Sequence, residues 1–311
     1  MKKSLLAGLL AGLLLLSACG QTVRPQDEAA FTVAAMTYPI YLFASRVAEG
    51  AEGVAVEAVV NQPMSCLHDY TMTVSDMKTL QGADLLLLNG VGLEDAMSAA
   101  IASSGLPTVD CSENVPLLLA EEEHEDHDHD HADHDHGEYD PHIWMDPDRA
   151  AVMVGNIAAA LAAADPDHAR LYADNAAAYE EELTALAAEL RDKLSGLERR
   201  ELITFHEGFG YFADSMGLTV LKAIEEEAGS EASAKELVEV VGLVRDHGLR
   251  AIFTEANGSD ATAKAVARET GADVRRLTML MSADSVPDGA DDPYRAGLEW
   301  NADTIMEALG Q

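Results

Sequence analysis

The sequence predicts an α/β protein of two similar lobes, each with a mainly parallel sheet flanked by helices, joined by one long rigid backbone helix. Three observations carry that expectation. Short apolar runs of strand length alternate with helical periods in both halves of the chain, the grammar of β–α–β crossovers. Asp84-Leu85-Leu86-Leu87-Leu88 is apolar without alternation, as a strand covered on both faces of a parallel sheet must be. Between the halves, Tyr179, Leu183, Leu186, Leu190, Leu194 and Leu197 recur at spacings of 4, 3, 4, 4 and 3, which is one face of a helix.

The elements follow in order. Phe31–Met36 reads as a strand, then Ile40–Glu49 as a helix and Val54–Val60 as a second strand. A polar loop, Asn61–Tyr70, precedes a helix over Thr73–Leu80 that Thr73 or Ser75 can cap. The Asp84–Leu88 strand follows, then a short strand at Leu106–Asp110. Asp165 can cap the long helix, and Pro166 suits its first turn. Gly196 marks its end, so some 30 residues span roughly 45 Å at 1.5 Å each. The second half repeats the pattern, with strands at Glu201–Phe205, Leu218–Ile224, Leu249–Thr254 and Val274–Leu280. Its helices fall at Gly208–Met216, Ala234–Asp246, Ala261–Thr270 and Tyr294–Leu309. The expected divisions are a leader at 1–18, a tether at 19–30, an N-terminal lobe at 31–164, the backbone helix at 165–197 and a C-terminal lobe at 198–311.

The leader is read from its three regions. Met1-Lys2-Lys3 is basic, and Ser4–Leu16 is apolar but shorter than the roughly 20 residues a membrane span needs. Leu16-Ser17-Ala18-Cys19 then places small residues before a cysteine, as a lipobox does. Acylated Cys19 would become the mature N-terminus and hold the protein to the outside of the cell membrane, firmly if it carries two or more chains. The polar stretch after it reads as a tether.

Across 311 residues there are 20 Lys and Arg against 55 Asp and Glu, a formal net charge of −35. Such a chain lacks the clustered cations that nucleic acid requires, and it suits cations and cationic partners. With 3 cysteines it is no disulfide scaffold. Cys66 and Cys111 remain after Cys19, and sequence leaves both a bridge and two free thiols open.

Ligands of open parallel sheets collect beyond the carboxyl ends of strands. His206 directly follows a predicted strand, Glu255 follows another, and His68, His142 and Asp284 lie in nearby loops. Three imidazoles from two lobes, with one carboxylate, would suit a tetrahedral zinc site; imidazole equally serves copper, nickel or iron, and more oxygen donors favour manganese. Between Glu121 and Glu138 the chain packs 6 His and 10 acids into 18 residues, with nothing apolar beyond one alanine. His124, His127, His129, His131, His134 and His136 make this an auxiliary, unpreorganised metal-binding loop.

These stretches bring a family into view. Cys66-Leu67-His68-Asp69-Tyr70, Ala83–Glu94 (ADLLLLNGVGLE), Asp140–Pro147 (DPHIWMDP), Phe205–Ala213 (FHEGFGYFA) and Ile252–Glu255 (IFTE) resemble the metal-binding lipoproteins of bacterial zinc and manganese ABC importers, in particular the zinc-uptake branch. The likeness runs from about Thr32 to Leu309. It implies that the metal is buried between the lobes and that His68, His142 and His206 are its histidine ligands. Manganese members tend to carry a carboxylate where His206 stands, so the resemblance implies zinc. Asp284 best matches the family's late fourth ligand, and Glu255 matches a strand-end residue that frames the cleft. Cys66 departs from the pattern, standing where the family often has Asp, Glu or Pro.

The implied function is extracytoplasmic capture of Zn²⁺ and its delivery to an ABC permease driven by a separate ATPase, since the chain has no GxxxxGK[ST] pattern of its own. A monomer and no enzymatic activity are expected. The alternatives are a manganese-binding member of the same importer class and a zinc-dependent hydrolase using His206-Glu207. The second lacks an HExxH pattern. Display as an adhesin is a third class that the acidic surface permits.

Overall fold

The computed structural model describes residues 29–62, 67, 70–120, 138–224 and 233–310. The leader, Cys19, Cys66, His68 and the six loop histidines from His124 to His136 lie outside the described residues.

Two four-stranded parallel sheets form the lobes. The first has β1 (Phe31–Ala35), β2 (Val54–Ala58), β3 (Leu85–Leu88) and β4 (Thr108–Asp110), in the order β2-β1-β3-β4. The second has β5 (Glu201–Thr204), β6 (Thr219–Ala223), β7 (Ala251–Glu255) and β8 (Asp273–Leu277), in the order β6-β5-β7-β8. The two orders are the same walk. In each, the strand order reverses beside the first strand, and that is where an open parallel sheet leaves a crevice at its carboxyl edge.

Helices α1 (Tyr38–Val47), α2 (Val74–Gly82) and α3 (Ser98–Ser104) belong to the first lobe. Thr73 starts α2 with a reciprocal cap, its hydroxyl accepting from the Asp76 backbone N–H while the Asp76 carboxylate accepts from the Thr73 N–H. The second lobe has α6 (Gly210–Met216), α7 (Ala234–His247) and α8 (Ala261–Thr270). Ser233 and Glu236 cap α7 in the same way, and Gly248 and Gly271 end α7 and α8 at φ 59° and 80°.

Between the lobes run α4 (Pro147–Ala164) and α5 (Ala169–Ser195). The long helix is therefore 27 residues after a 3₁₀ turn at Pro166–His168, about 40 Å. All six positions of its predicted apolar face are buried. Asp165 does not cap it as expected. Its carboxylate instead accepts from His168 Nδ1 at 2.7 Å and from the Tyr172 hydroxyl at 2.6 Å.

α9 (Pro293–Leu309) follows the second lobe in sequence but packs on α1 and α5 as well as on β8. Tyr294 on α9 meets Phe43 on α1 edge-to-face, with ring centroids 5.0 Å apart. One apolar core therefore runs from the first sheet through α4, α5 and α9 to Phe253 and Leu277 of the second. A smaller separate core, including Ile203, Val244, Ile252 and Val266, fills the space between the second sheet and α7 and α8. Among the described residues no helix is long and apolar enough to cross a membrane. The Cys111 thiol is buried, and Cys66, its partner in the bridge that sequence leaves open, lies outside the described residues. Burial and the neighbouring Glu94 and Asp110 carboxylates hold that thiol well above the ordinary cysteine range.

Candidate metal centre

The site is built on the segment that crosses between the lobes, Asp140-Pro141-His142-Ile143-Trp144-Met145. Proline at 141 and a 3₁₀ turn at Ile143–Met145 keep it out of both sheets, so three of its carbonyls are held by distant side chains and its indole reaches a distant carbonyl. Asn89 Nδ2 donates to the Pro141 carbonyl at 2.9 Å. The Tyr211 hydroxyl donates to the Asp140 carbonyl at 2.8 Å, and the Tyr294 hydroxyl to the Trp144 carbonyl at 2.6 Å. Trp144 Nε1 donates to the Met279 carbonyl at 2.8 Å, which ties the crossing segment to the exit of β8. Asp146 then caps α4, and Arg149 bridges it to Asp214 on α6.

His142 is 4% exposed. Its Nδ1 stands 2.8 Å from Asp140 Oδ1, which also accepts from the His142 backbone N–H at 2.8 Å. A carboxylate at Nδ1 fixes that nitrogen as the N–H donor and puts the imidazole lone pair on Nε2, the arrangement in which a histidine ligates a metal.

His206 lies two residues past the end of β5, which stops at Thr204 and not at Phe205 as the sequence suggested. It stands beside the point where the second sheet reverses its order, and its carbonyl accepts from the Thr204 hydroxyl at 3.0 Å. Its ring faces that of His142 edge-on, with centroids 5.8 Å apart and planes at 89°. Two imidazoles on one four-coordinate zinc, about 2.0–2.1 Å from each nitrogen, have centroids roughly 5 Å apart, so this pair is close to the spacing such an ion imposes. The close approach depends on glycine. A Cβ at Gly208 would lie 2.0 Å from Met279 Sδ and within 3.3 Å of both imidazoles, and one at Gly210 would lie 2.8 Å from Asp140 Oδ2.

A cavity of about 370 Å³ adjoins His206, bordered by Leu118, Asp140, Glu207, Phe209 and Asp214. Its acidic rim matches the negative charge of the chain as a whole.

The structure thus brings His142 and His206 together. Glu255, the last residue of β7, is 6% exposed, and burial pushes its carboxyl up to about 8. Asp284 is exposed on a single 3₁₀ turn at Ala283–Ser285. Among the described residues neither carboxylate completes a three-residue group with the two histidines. Sequence reading passed over Asp140, Asn89, Tyr211 and Gly208 as functional positions. The only prior sign of them was that they fall inside the DPHIWMDP, NGVGLE and FHEGFGYFA stretches.

Comparison with known proteins agrees with this geometry. Residues 33–308 match the family model of the zinc-uptake complex component A, periplasmic. The chain is 31% identical over 265 residues to the iron-binding protein YfeA of Yersinia pestis, covering 84% of this chain and 81% of that protein. It is 29% identical over 305 residues to the high-affinity zinc uptake system protein ZnuA of Bacillus subtilis, covering 95% and 94%. A crystal structure of ZnuA superposes with a TM-score of 0.74 at 27% identity, covering 90% of this chain and 99% of the other. His142 from the crossing segment meets His206 from the second lobe in a two-lobe fold, and with residues 33–308 matched the chain belongs to the zinc-uptake complex component A family, whose members are metal-binding importer components and not enzymes.

Proposed function

We propose that the chain captures Zn²⁺ outside the cytoplasmic membrane and delivers it to an ABC permease powered by a separate ATPase. The observation that carries this reading is the buried His142–Asp140 pair facing His206 across the cleft. Two neutral imidazoles favour zinc over manganese, which prefers oxygen donors. His68 supplies the third nitrogen in this reading, and a carboxylate, Asp284 or Glu255, the fourth ligand. Glu255 has the advantage of burial at a strand end, and Asp284 that of the family match.

The deciding measurement is metal competition by calorimetry on the mature chain lacking residues 121–138, with elemental analysis of the bound ion. One tight zinc per chain that excess manganese(II) and iron(II) do not displace is expected, and total stoichiometry falls relative to the intact chain because the loop histidines are gone. Preference for manganese or iron would replace zinc as the cargo. Loss of the tight site would place it in the loop.

The same reading anchors the protein by lipid on Cys19. Cys19→Ala is expected to abolish acylation and release the chain from the membrane fraction; unchanged fractionation and mass would remove the anchor.

A further inference from the structure

We propose that Glu94 is a positioning residue for the metal centre, acting through Asn89 on the backbone that carries His142. The inference rests on the metal-binding reading above and adds the part of the fold that holds one ligand in place.

The loop after β3, Asn89-Gly90-Val91-Gly92-Leu93-Glu94, is an unusual piece of backbone. Gly90, Val91 and Gly92 have φ of 89°, 56° and 78°. Glycine adopts these values freely, but for a β-branched valine the left-handed region is an outlier that surrounding contacts must enforce. Gly90 is further fixed by crowding, since a Cβ there would lie 1.9 Å from Asp110 Oδ1.

The enforcing group is the Glu94 carboxylate. It is 4% exposed, and its two oxygens accept from the Asn89 backbone N–H at 2.7 Å and the Gly90 N–H at 3.1 Å. Asn89 is wholly buried. Its side-chain N–H₂ donates to the Gly90 carbonyl at 3.1 Å and to the Pro141 carbonyl at 2.9 Å, while its own side-chain oxygen meets no partner among the described residues. The amide is therefore oriented by its two donor bonds alone, and one of them holds the residue next to His142. Glu94 fixes the turn, the turn fixes Asn89, and Asn89 fixes Pro141.

A carboxylate can accept both N–H groups, whereas a protonated carboxyl or an amide keeps one good acceptor and turns a donor toward the other N–H. Burial raises the Glu94 carboxyl to about 7. Of the titratable groups facing it, Asp110 at the end of β4 also raises it, and the adjacent Cys111 thiol stays neutral. The brace should accordingly be complete above neutrality and half-made below it.

The test measures zinc affinity of the full mature chain by chelator competition from pH 6 to 8.5, for wild type and Glu94→Gln. At pH 8.5 the variant is expected to bind about tenfold more weakly, the low end of what outer contacts to a metal ligand contribute. The ratio of the two constants is expected to close toward one by pH 6, with a midpoint near 7. Protonation of the ligand histidines affects both proteins and cancels in this ratio. Asn89→Ala, whose loss acts on the same contact, is expected to weaken binding similarly and to add little when combined with Glu94→Gln. Equal affinities at every pH, a ratio that does not change with pH, or full additivity of the two substitutions would each overturn the proposal. Absence of tight metal binding in the wild type would overturn the metal-site reading itself, which separates the two failures.

Discussion

His206→Ala is expected to weaken zinc binding by two or more orders of magnitude, at least about 3 kcal/mol at 1.4 kcal/mol per tenfold. The ring it removes stands edge-on to His142 at a spacing close to that of two imidazoles on one ion, so water would have to take its place in the coordination sphere. His206 is the cleaner of the two histidines to remove. Truncating His142 would also strip the buried Asp140 carboxylate of its ring partner, leaving it the backbone N–H of residue 142. Affinity in the intact protein should fall as the pH drops, because a protonated imidazole no longer offers its lone pair to a cation. Chelator competition on the alanine variant reads the effect directly. A dissociation constant within threefold of wild type would take His206 out of the coordination sphere.

Trp144→Ala is expected to be the most destabilising single change in the chain, by about 4–6 kcal/mol. Trp144 is fully buried between the lobes, and removal of a core tryptophan costs about 3–5 kcal/mol through lost burial and the cavity left behind. Its indole N–H also satisfies the Met279 carbonyl, and a buried acceptor left alone adds about 1–3 kcal/mol. Against a total stability of about 5–15 kcal/mol, the loss is a large share. Urea unfolding followed by circular dichroism measures it. A midpoint close to wild type would mean that the crossing segment is held by Tyr294, Tyr211 and Asn89 without help from the indole.

Most of the fold was legible because it is written in periodicity. The four apolar leucines of β3, the 4-3-4-4-3 face of α5 and the glycines after α7 and α8 are local signals, and each reappears within a few residues of its expected place. α4 (PDRAAVMVGNIAAALAAA) was missed although Met153, Val154, Ile157 and Leu161 recur at helical spacing on its buried face. α3 is short and has no buried residue, so it carries no apolar stripe to read.

The site divides in the same way. His142 and His206 could be found from strand ends and motif. Asn89 and Tyr211 could not be given roles, because those roles are contacts with residues 52 and 71 positions away along the chain, and the shorter-range contacts of Glu94 and Asp140 depend on how their loops turn. A carboxylate two residues before a histidine is common; one that takes the Nδ1 proton is a property of folded geometry.

The unequal partition of the apolar interior has a consequence for how the protein opens. Local unfolding proceeds in cooperative units set by shared packing, and here the units do not coincide with the lobes. The first sheet, α4, α5, α9 and the inner side of the second sheet form one unit, with His142 inside it. The outer layer of α7 and α8, resting on its own small core, forms another and is expected to detach at lower free energy because it shares less packing. Such a partial opening uncovers β7, whose last residue is Glu255, while Asp140 still grips His142. The two sides of the cleft therefore differ in their resistance to transient exposure, and an ion held between them has one firm wall and one yielding wall.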